Sequence, residues 1–198
     1  MHKKGFFYLV LILMSLGGAD ARAEEGKFSW GLGVGNSQFE LNKAELVASN
    51  TALTGATSFE DSSTAFNLFG GMRLDQYLSL ELDLLFAGDV VARDAGRSFK
   101  LFDVSSFAAT LALSRQVYES TRLFARLGVS FWDISESAQG FDTINSGIDL
   151  TYGLGADINL YGDRSRQLRV LYNHYEYDGI FIDSSDTFTL GLLFLIGG

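Results

Sequence analysis

The 198-residue chain contains no cysteine and no proline. Without cysteine it has no disulfide framework and no thiolate chemistry. Without proline, no strand is interrupted by a residue that cannot donate to a hydrogen-bonded ladder. Positive charge is also scarce, since the formal net charge is −9. We therefore expect no nucleic-acid partner, because affinity for nucleic acid depends on neutralising phosphates.

Long apolar runs are missing except at the start of the chain. Basic residues at 2–4, an apolar run at 6–16 and an A-x-A pattern at 21–23 predict a cleaved signal peptide over residues 1–23. The alternative, an anchoring helix, is disfavoured because such a helix needs about 20 apolar residues. Removing three basic residues and one aspartate with the signal peptide changes the formal charge from −9 to −11. Residues 24–198 are then predicted to form one domain.

The remaining sequence is dominated by alternation. From Ile148 to Leu160, even-numbered residues are apolar or aromatic and odd-numbered residues are polar or glycine. A period of two predicts an extended strand, because successive side chains point to opposite faces. Similar segments, joined alternately by long polar loops and short turns, predict strands near 27–38, 65–74, 78–86, 107–114, 123–132, 148–160, 168–175 and 188–196, with long loops at 42–63, 88–101, 133–146 and 178–186.

The two faces of these strands decide the fold class. One face is almost uninterrupted Leu, Val, Ile, Phe and Ala, whereas the other carries charges and many glycines. Turned inward, the apolar faces would build a soluble barrel with a poor core. Turned outward, they form the lipid-facing belt of a membrane barrel, whose closure satisfies every backbone group. We therefore predict an all-β fold, an eight-stranded antiparallel up-and-down transmembrane β-barrel.

The charges on the inward face predict a lumenal site. Glu81, Arg126, Asp157 and Arg169 lie at similar heights above the short turns of four strands. The interior of an eight-stranded barrel is just wide enough for side chains, and an unpaired buried charge is costly. We therefore predict a salt-bridge cluster that plugs the lumen, with Asp157 paired to Arg126 or Arg169; the alternative is a lumen of solvated charges. Two secondary lumenal charges are Arg73 and Asp83.

Four segments carry further motifs in a recognisable order: Phe69 to Glu81, Leu123 to Asp133, Ser146 to Asp157 and Arg169 to Leu192. In this order they resemble the OmpA-like family of small outer-membrane β-barrels, without that family's peptidoglycan-binding domain. The resemblance implies an outer-membrane location in a Gram-negative bacterium and a lumenal charge network at the four positions proposed above. Expected partners are outer-membrane lipids, lipopolysaccharide and the outer-membrane assembly machinery, and a monomer is expected.

The first functional hypothesis is a structural outer-membrane β-barrel protein, or a narrow or gated pore, with surface loops available for interaction. A wide porin would need 16–18 strands. One alternative is a lipid-modifying enzyme that uses His174 as a base near Ser184 or Ser185, although Glu176 stands where lipid A deacylases have serine. Another is an adhesin-like protein that acts through its long loops. We expect no enzyme activity, no cofactor and no metal site.

Overall fold

In the part of the chain that the structure describes, nine strands and one short helix are present. The structure is a computed structural model that describes residues 28–49, 58–94, 97–136, 145–160, 163–179 and 181–196, so the predicted signal peptide lies outside the described residues. Within these ranges no helix is long and apolar enough to cross a membrane. The elements are β1 (Phe28–Leu41), α1 (Lys43–Ser49), β2 (Ser58–Glu60), β3 (Ser62–Arg73), β4 (Leu78–Asp94), β5 (Arg97–Tyr118), β6 (Thr121–Glu136), β7 (Asn145–Leu160), β8 (Asp163–Glu176) and β9 (Ile182–Ile196).

Eight of the strands form a closed antiparallel barrel. The hydrogen-bonded order is β4-β3-β1-β9-β8-β7-β6-β5, and β5 pairs back onto β4. The short strand β2 pairs with the end of β4 that lies toward the long loops, where Ser58 pairs with Arg93. Because the ring has no free edge, its ladder groups are satisfied within the protein, as a bilayer requires. The predicted fold class is therefore confirmed.

The apolar faces of the strands point outward. In β7, Leu150, Tyr152 and Leu154 are exposed, whereas Thr151 and Asp157 are buried in the lumen. The same alternation runs along the other strands and covers the outside of the barrel with large exposed apolar side chains. Such a surface suits hydrocarbon, and the polar residues it leaves inside suit a closed lumen.

Aromatic side chains lie toward both ends of this apolar surface. Trp30 stacks on Phe194 toward the end with the short turns, with ring centroids 4.8 Å apart. Tyr152 stacks on His174 toward the long loops, also at 4.8 Å. Aromatic rings are favoured at the two membrane–water interfaces, so these pairs fit girdles at the edges of the apolar belt.

A carboxylate organises the turn between β3 and β4. Asp75 accepts hydrogen bonds from the backbone N–H groups of Tyr77 and Leu78, at 2.6 and 2.8 Å. These two donors hold the pKa of Asp75 below its usual range. The Leu74 N–H donates to the Leu78 carbonyl at 2.9 Å and closes the turn. This local side-chain bonding makes aspartate a good turn former.

The strands extend further at the long-loop end than the alternation predicts. The predicted loop at 88–101 is mostly strand, because β4 continues to Asp94 and β5 begins at Arg97. A β-bulge shifts the register between Ala87 and Val90. The bulge adds a residue, so the buried positions change from odd-numbered before it to even-numbered after it. The alternation breaks at Gly88 although the strand does not end there.

The predicted loop at 42–63 contains the helix α1. The Asn42 side-chain oxygen accepts a hydrogen bond from the Glu45 N–H at 3.3 Å, as an N-cap does. The Asn42 N–H donates to the Phe181 carbonyl at 2.9 Å and joins the helix to the loop before β9. Leu46 on α1 is buried in the apolar core at this end of the barrel. The segment therefore caps the barrel rather than standing away from it.

Neighbouring strands of the barrel pack closely at some glycines, and this leads to a prediction about stability. A Cβ added at Gly128 would overlap the Ala109 carbonyl oxygen and lie 2.7 Å from the Thr110 Cα. A Cβ at Gly88 would meet only ordinary contacts, 3.4 Å from the Thr64 carbonyl oxygen. We expect Gly128→Ala to lower the free energy of unfolding by about 1–3 kcal/mol, and Gly88→Ala to change it by less than about 0.5 kcal/mol. Urea unfolding of the barrel in phospholipid vesicles measures both, and equal losses would contradict the packing described here.

Candidate functional site in the barrel lumen

Arg169 lies between two carboxylates at the centre of the lumenal charges. Its Nε and Nη2 donate to the two Asp157 oxygens at 2.7 and 2.9 Å. Its Nη1 and Nη2 donate to the two Glu81 oxygens at 3.2 and 3.0 Å. Both contacts are bidentate, the arrangement in which a guanidinium binds a carboxylate most strongly. The structure thus pairs Asp157 with Arg169, one of the two partners that the sequence left open.

Two aromatic rings enclose the same guanidinium. The Arg169 Cζ lies 5.0 Å from the centroid of Phe69 and 4.6 Å from that of Phe124, within the range of cation–π attraction. Glycines opposite the rings make this possible, since a Cβ at Gly31 would overlap Phe69 and a Cβ at Gly155 would overlap Phe124. The glycines of the alternating pattern therefore leave room for the groups that position Arg169.

Arg126 forms the second half of the cluster. Its Nη2 donates to Asp83 at 2.9 Å, and its Nε donates to the Asn173 side-chain oxygen at 2.7 Å. Its Nη1 lies 3.6 Å from Glu81, close enough for an ion pair but too far for a hydrogen bond. Glu81 therefore joins the two arginines. Asp83, predicted as a secondary charge, is the nearest carboxylate partner of Arg126, and all five charged side chains are buried.

Arg73 does not join this cluster. It lies at the short-turn end of the lumen and lines an open recess together with Arg122. Among the described residues, neither arginine makes an ion pair or a hydrogen bond. The alternation predicted Arg73 as a lumenal charge, whereas Arg122 was not predicted. Arg122 lies at an even-numbered position on the strand of Arg126, so the alternation places both arginines on the lumenal face.

An apolar core fills the lumen on the long-loop side of the charges. The strands that carry Glu81, Arg126 and Arg169 continue toward the long loops with buried apolar residues. Leu46 of α1 and Phe181 before β9 cover this core. The members of the core are Phe39, Leu46, Ala65, Leu85, Ala87, Val90, Ala92, Leu101, Phe102, Val104, Ala108, Trp132, Ile134, Tyr175, Tyr177, Phe181 and Ile182. The alternation did not predict this core, because many of these residues lie in segments predicted as loops.

Hydrogen bonds join the apolar core to polar side chains of the neighbouring strands and to the loop after β8. Trp132 Nε1 donates to the Asp149 carboxylate at 2.6 Å, and the Asp178 N–H donates to the same carboxylate oxygen at 2.9 Å. The ring of Tyr177 meets Trp132 edge-on at 5.5 Å, and its hydroxyl bonds Ser185 at 2.9 Å. A buried indole or phenol needs such a partner. The loop after β8 is thereby fixed to the inside of the barrel.

His174 faces outward at the long-loop end of the barrel, as the alternation along its strand predicts. Its Nδ1 lies 2.8 Å from an Asp186 oxygen, which also accepts a hydrogen bond from the Tyr172 hydroxyl at 2.7 Å. Neither candidate serine contacts it. Ser184 donates to Glu40 at 3.1 Å, and Ser185 points into the lumen. In the part of the chain that the structure describes, no group of three or more metal-ligating side chains is arranged to hold a metal ion.

Comparison with known proteins identifies the family. A family model described as the outer membrane protein beta-barrel domain matches residues 7–194. The chain belongs to this family. In outer-membrane barrels the short turns face the periplasm and the longer loops face outside. The recess with Arg73 and Arg122 is therefore periplasmic, and the apolar core is extracellular. No curated protein matches the chain in sequence.

Three solved structures show the same fold. The attachment invasion locus protein Ail of Yersinia pestis is 17% identical, with 86% of this chain and 99% of that chain covered and a TM-score of 0.55. Neisserial surface protein A is 12% identical, with 88% and 100% covered and a TM-score of 0.62. The N-terminal β-barrel domain of Pseudomonas aeruginosa OprF is 11% identical, with 86% and 98% covered and a TM-score of 0.53. At these identities the likeness concerns the fold alone.

The Asp157–Arg169 pair allows a double-mutant test of the cluster. We expect Arg169→Gln to lower the free energy of unfolding by about 3–5 kcal/mol, because it leaves two buried carboxylates without their bidentate partner. Asp157→Asn should also destabilise the barrel, and the double variant should lose clearly less than the sum of the two single losses. Urea unfolding in phospholipid vesicles gives all three values.

The exposed pair of Glu60 and Arg93 is the matched control for this cycle. A double-mutant cycle with Glu60→Gln and Arg93→Gln should give a coupling of at most about 1 kcal/mol, because water already solvates both groups. Strictly additive losses at Asp157 and Arg169 would contradict a coupled lumenal cluster and favour independently solvated charges.

Proposed function

We propose that this outer-membrane barrel is a closed structural protein that acts through its extracellular surface and not as a pore. The observation that carries the proposal is the occupied lumen. An ion-paired cluster fills its middle and an apolar core fills its extracellular end. A function that needs passage through the barrel would have to displace both layers.

The two layers resist ions for different reasons. In the cluster, Arg169 is bonded to Glu81 and Asp157, and breaking a buried pair costs several kcal/mol, about 3–5. In the core, Phe102 and Ile134 are among the fully buried side chains. A constriction lined by such groups excludes water and thereby ions. The layers lie in series along the barrel, so opening one leaves the other closed.

The route to the membrane follows from the same proposal. We infer export by a signal peptide cleaved after Ala23 and insertion by the outer-membrane assembly machinery. The closed ring has no free strand edge for pairing with a second copy, which favours a monomer. Its exposed apolar surface would contact outer-membrane lipids and lipopolysaccharide. Export from the cytoplasm agrees with the acidic, cysteine-free composition of the chain.

A second candidate function, adhesin-like surface contact, is favoured by the ordered hairpin of β4 and β5. The ladder between these strands continues to the pair Asp94 and Arg97, and β2 widens it to three strands. Lys100 of this hairpin pairs with Asp89 at 2.6 Å and Asp103 at 3.0 Å. A rigid, charged platform outside the membrane could bind a partner with little ordering cost.

The closed-lumen proposal predicts an absence of conductance. In planar lipid bilayers the wild-type barrel should give no steady ion current. The cluster variant Asp157→Asn with Arg169→Gln should stay closed because the apolar core remains. The core variant Phe102→Ala with Trp132→Ala should stay closed because the cluster remains. Only the combination of both sets is expected to conduct. A steady wild-type current would overturn the proposal, and current from either set alone would show that one layer makes the seal.

We also propose that the barrel is not a lipid-modifying enzyme. His174 is bonded to Asp186 and stacked on Tyr152, and neither Ser184 nor Ser185 contacts it. A histidine base needs a nucleophile within about 3 Å. Lipid A from cells with and without the protein should show the same acyl pattern by mass spectrometry. A change that is lost in His174→Gln would contradict this prediction.

A further inference from the structure

The periplasmic end of the lumen opens into a recess. Its empty volume is about 420 Å³, including the solvent at its mouth. It is lined mainly by polar side chains from seven strands, and its floor is formed by Glu81, Asp157 and Arg169 of the cluster. Other side chains that line it are Ser29, Arg73, Ser79, Ser114, Arg122 and Gln167. The recess is therefore a polar pocket that is open on one side.

Two arginines in this recess have no partner among the described residues. Arg73 and Arg122 are half-buried and line the same recess, so their positive charges repel each other. Asp157 attracts both, but its two oxygens already accept hydrogen bonds from Arg169. Two guanidinium groups that share a recess and are partly removed from water are an unfavourable arrangement. An anionic group bound in the recess would relieve it.

The charge balance of the cluster and the recess, among the described residues, indicates the sign of that group. The cluster holds three carboxylates and two arginines, which leaves a formal charge of −1. Arg73 and Arg122 raise this to +1. The excess is positive and lies at the open, periplasmic side. One compact anion would compensate it, whereas a cation would be repelled.

The remaining hydrogen-bond donors of the recess indicate which class of anion it binds. Ser29 and Ser114 already donate to the carbonyls of Gly71 and Tyr77, at 3.5 and 3.2 Å. Ser79 has no such partner among the described residues, so its hydroxyl is available beside the arginines. Planar guanidinium groups bind phosphate oxygens in a bidentate manner. We propose that this recess binds a phosphate group from the periplasmic side, held by Arg73 and Arg122 with a hydrogen bond from Ser79.

The test uses the folded, full-length mature barrel in nanodiscs of phosphatidylcholine. Calorimetric titration with inorganic phosphate, at fixed ionic strength in chloride, should show one site per barrel. Arg73→Gln and Arg122→Gln should each weaken binding at least about tenfold, since each removes charge-assisted hydrogen bonds. The double glutamine variant should not bind. Arg73→Lys should bind with intermediate affinity, because it keeps the charge and loses the bidentate geometry.

Arg115→Gln is the matched control, because Arg115 is exposed on the outer face at the same end of the barrel. It should bind phosphate as the wild type does. Migration of unboiled and boiled samples on a gel confirms that every variant is folded. No binding to the folded wild type, or binding that survives in the double glutamine variant, would overturn the proposal.

A second titration identifies the source of the phosphate group. In nanodiscs that contain phosphatidylglycerol, a lipid headgroup able to reach the recess would weaken the apparent affinity for inorganic phosphate. The weakening would be absent in phosphatidylcholine alone. Unchanged affinity in both lipids would assign the site to free phosphate or a soluble phosphate ester.

Discussion

The narrow interior of an eight-stranded ring is the constraint on which the rest of this structure depends. Such a ring encloses a space just wide enough for side chains, so a large lumenal ring fits where the residue paired with it is small. Phe69 and Phe124 face glycines, and their rings in turn enclose Arg169. The glycines, the aromatic rings and the buried charge are therefore one packing arrangement. Altering any of the three changes the space available to the other two.

The lumen is layered because the same strands meet different surroundings along their length. At mid-height the ring is surrounded by hydrocarbon, and inward polar groups must be satisfied by one another, as Glu81 is by Arg169. Toward the extracellular end the strands leave the membrane, and the interior can be packed as in a soluble protein. There the helix α1 and the loop around Phe181 cover the core. The periplasmic end opens into the recess at Arg73 and Arg122.

The alternation of the strands was sufficient to predict the fold class, the outward apolar face and the four charges that meet in the lumen. It could not decide which arginine binds Asp157, because that depends on strand register and on the reach of each side chain. Nor could it predict the upper strands, since the bulge between Ala87 and Val90 reverses the alternation. The helix after β1 did leave a local signal, an Asn42 cap followed three residues later by Glu45. Arg122 shares the parity of Arg126, but nothing in the sequence showed that it has no ion-pair partner among the described residues.

The buried charges also help to specify the barrel itself. Buried ion pairs often contribute little net stability, since the cost of desolvation offsets their attraction. Their larger effect is to disfavour wrong strand registers. A slip of one residue exchanges the two faces of a strand, so its lumenal charges would then point outward. A strand displaced in that way would place Arg126 or Arg169 in the lipid, at a cost of about 2–4 kcal/mol for each arginine near the membrane centre. The apolar side chains on its other face would then enter a lumen that is too narrow for them. The correct register satisfies both requirements, so the charges select it even where they add little to its stability.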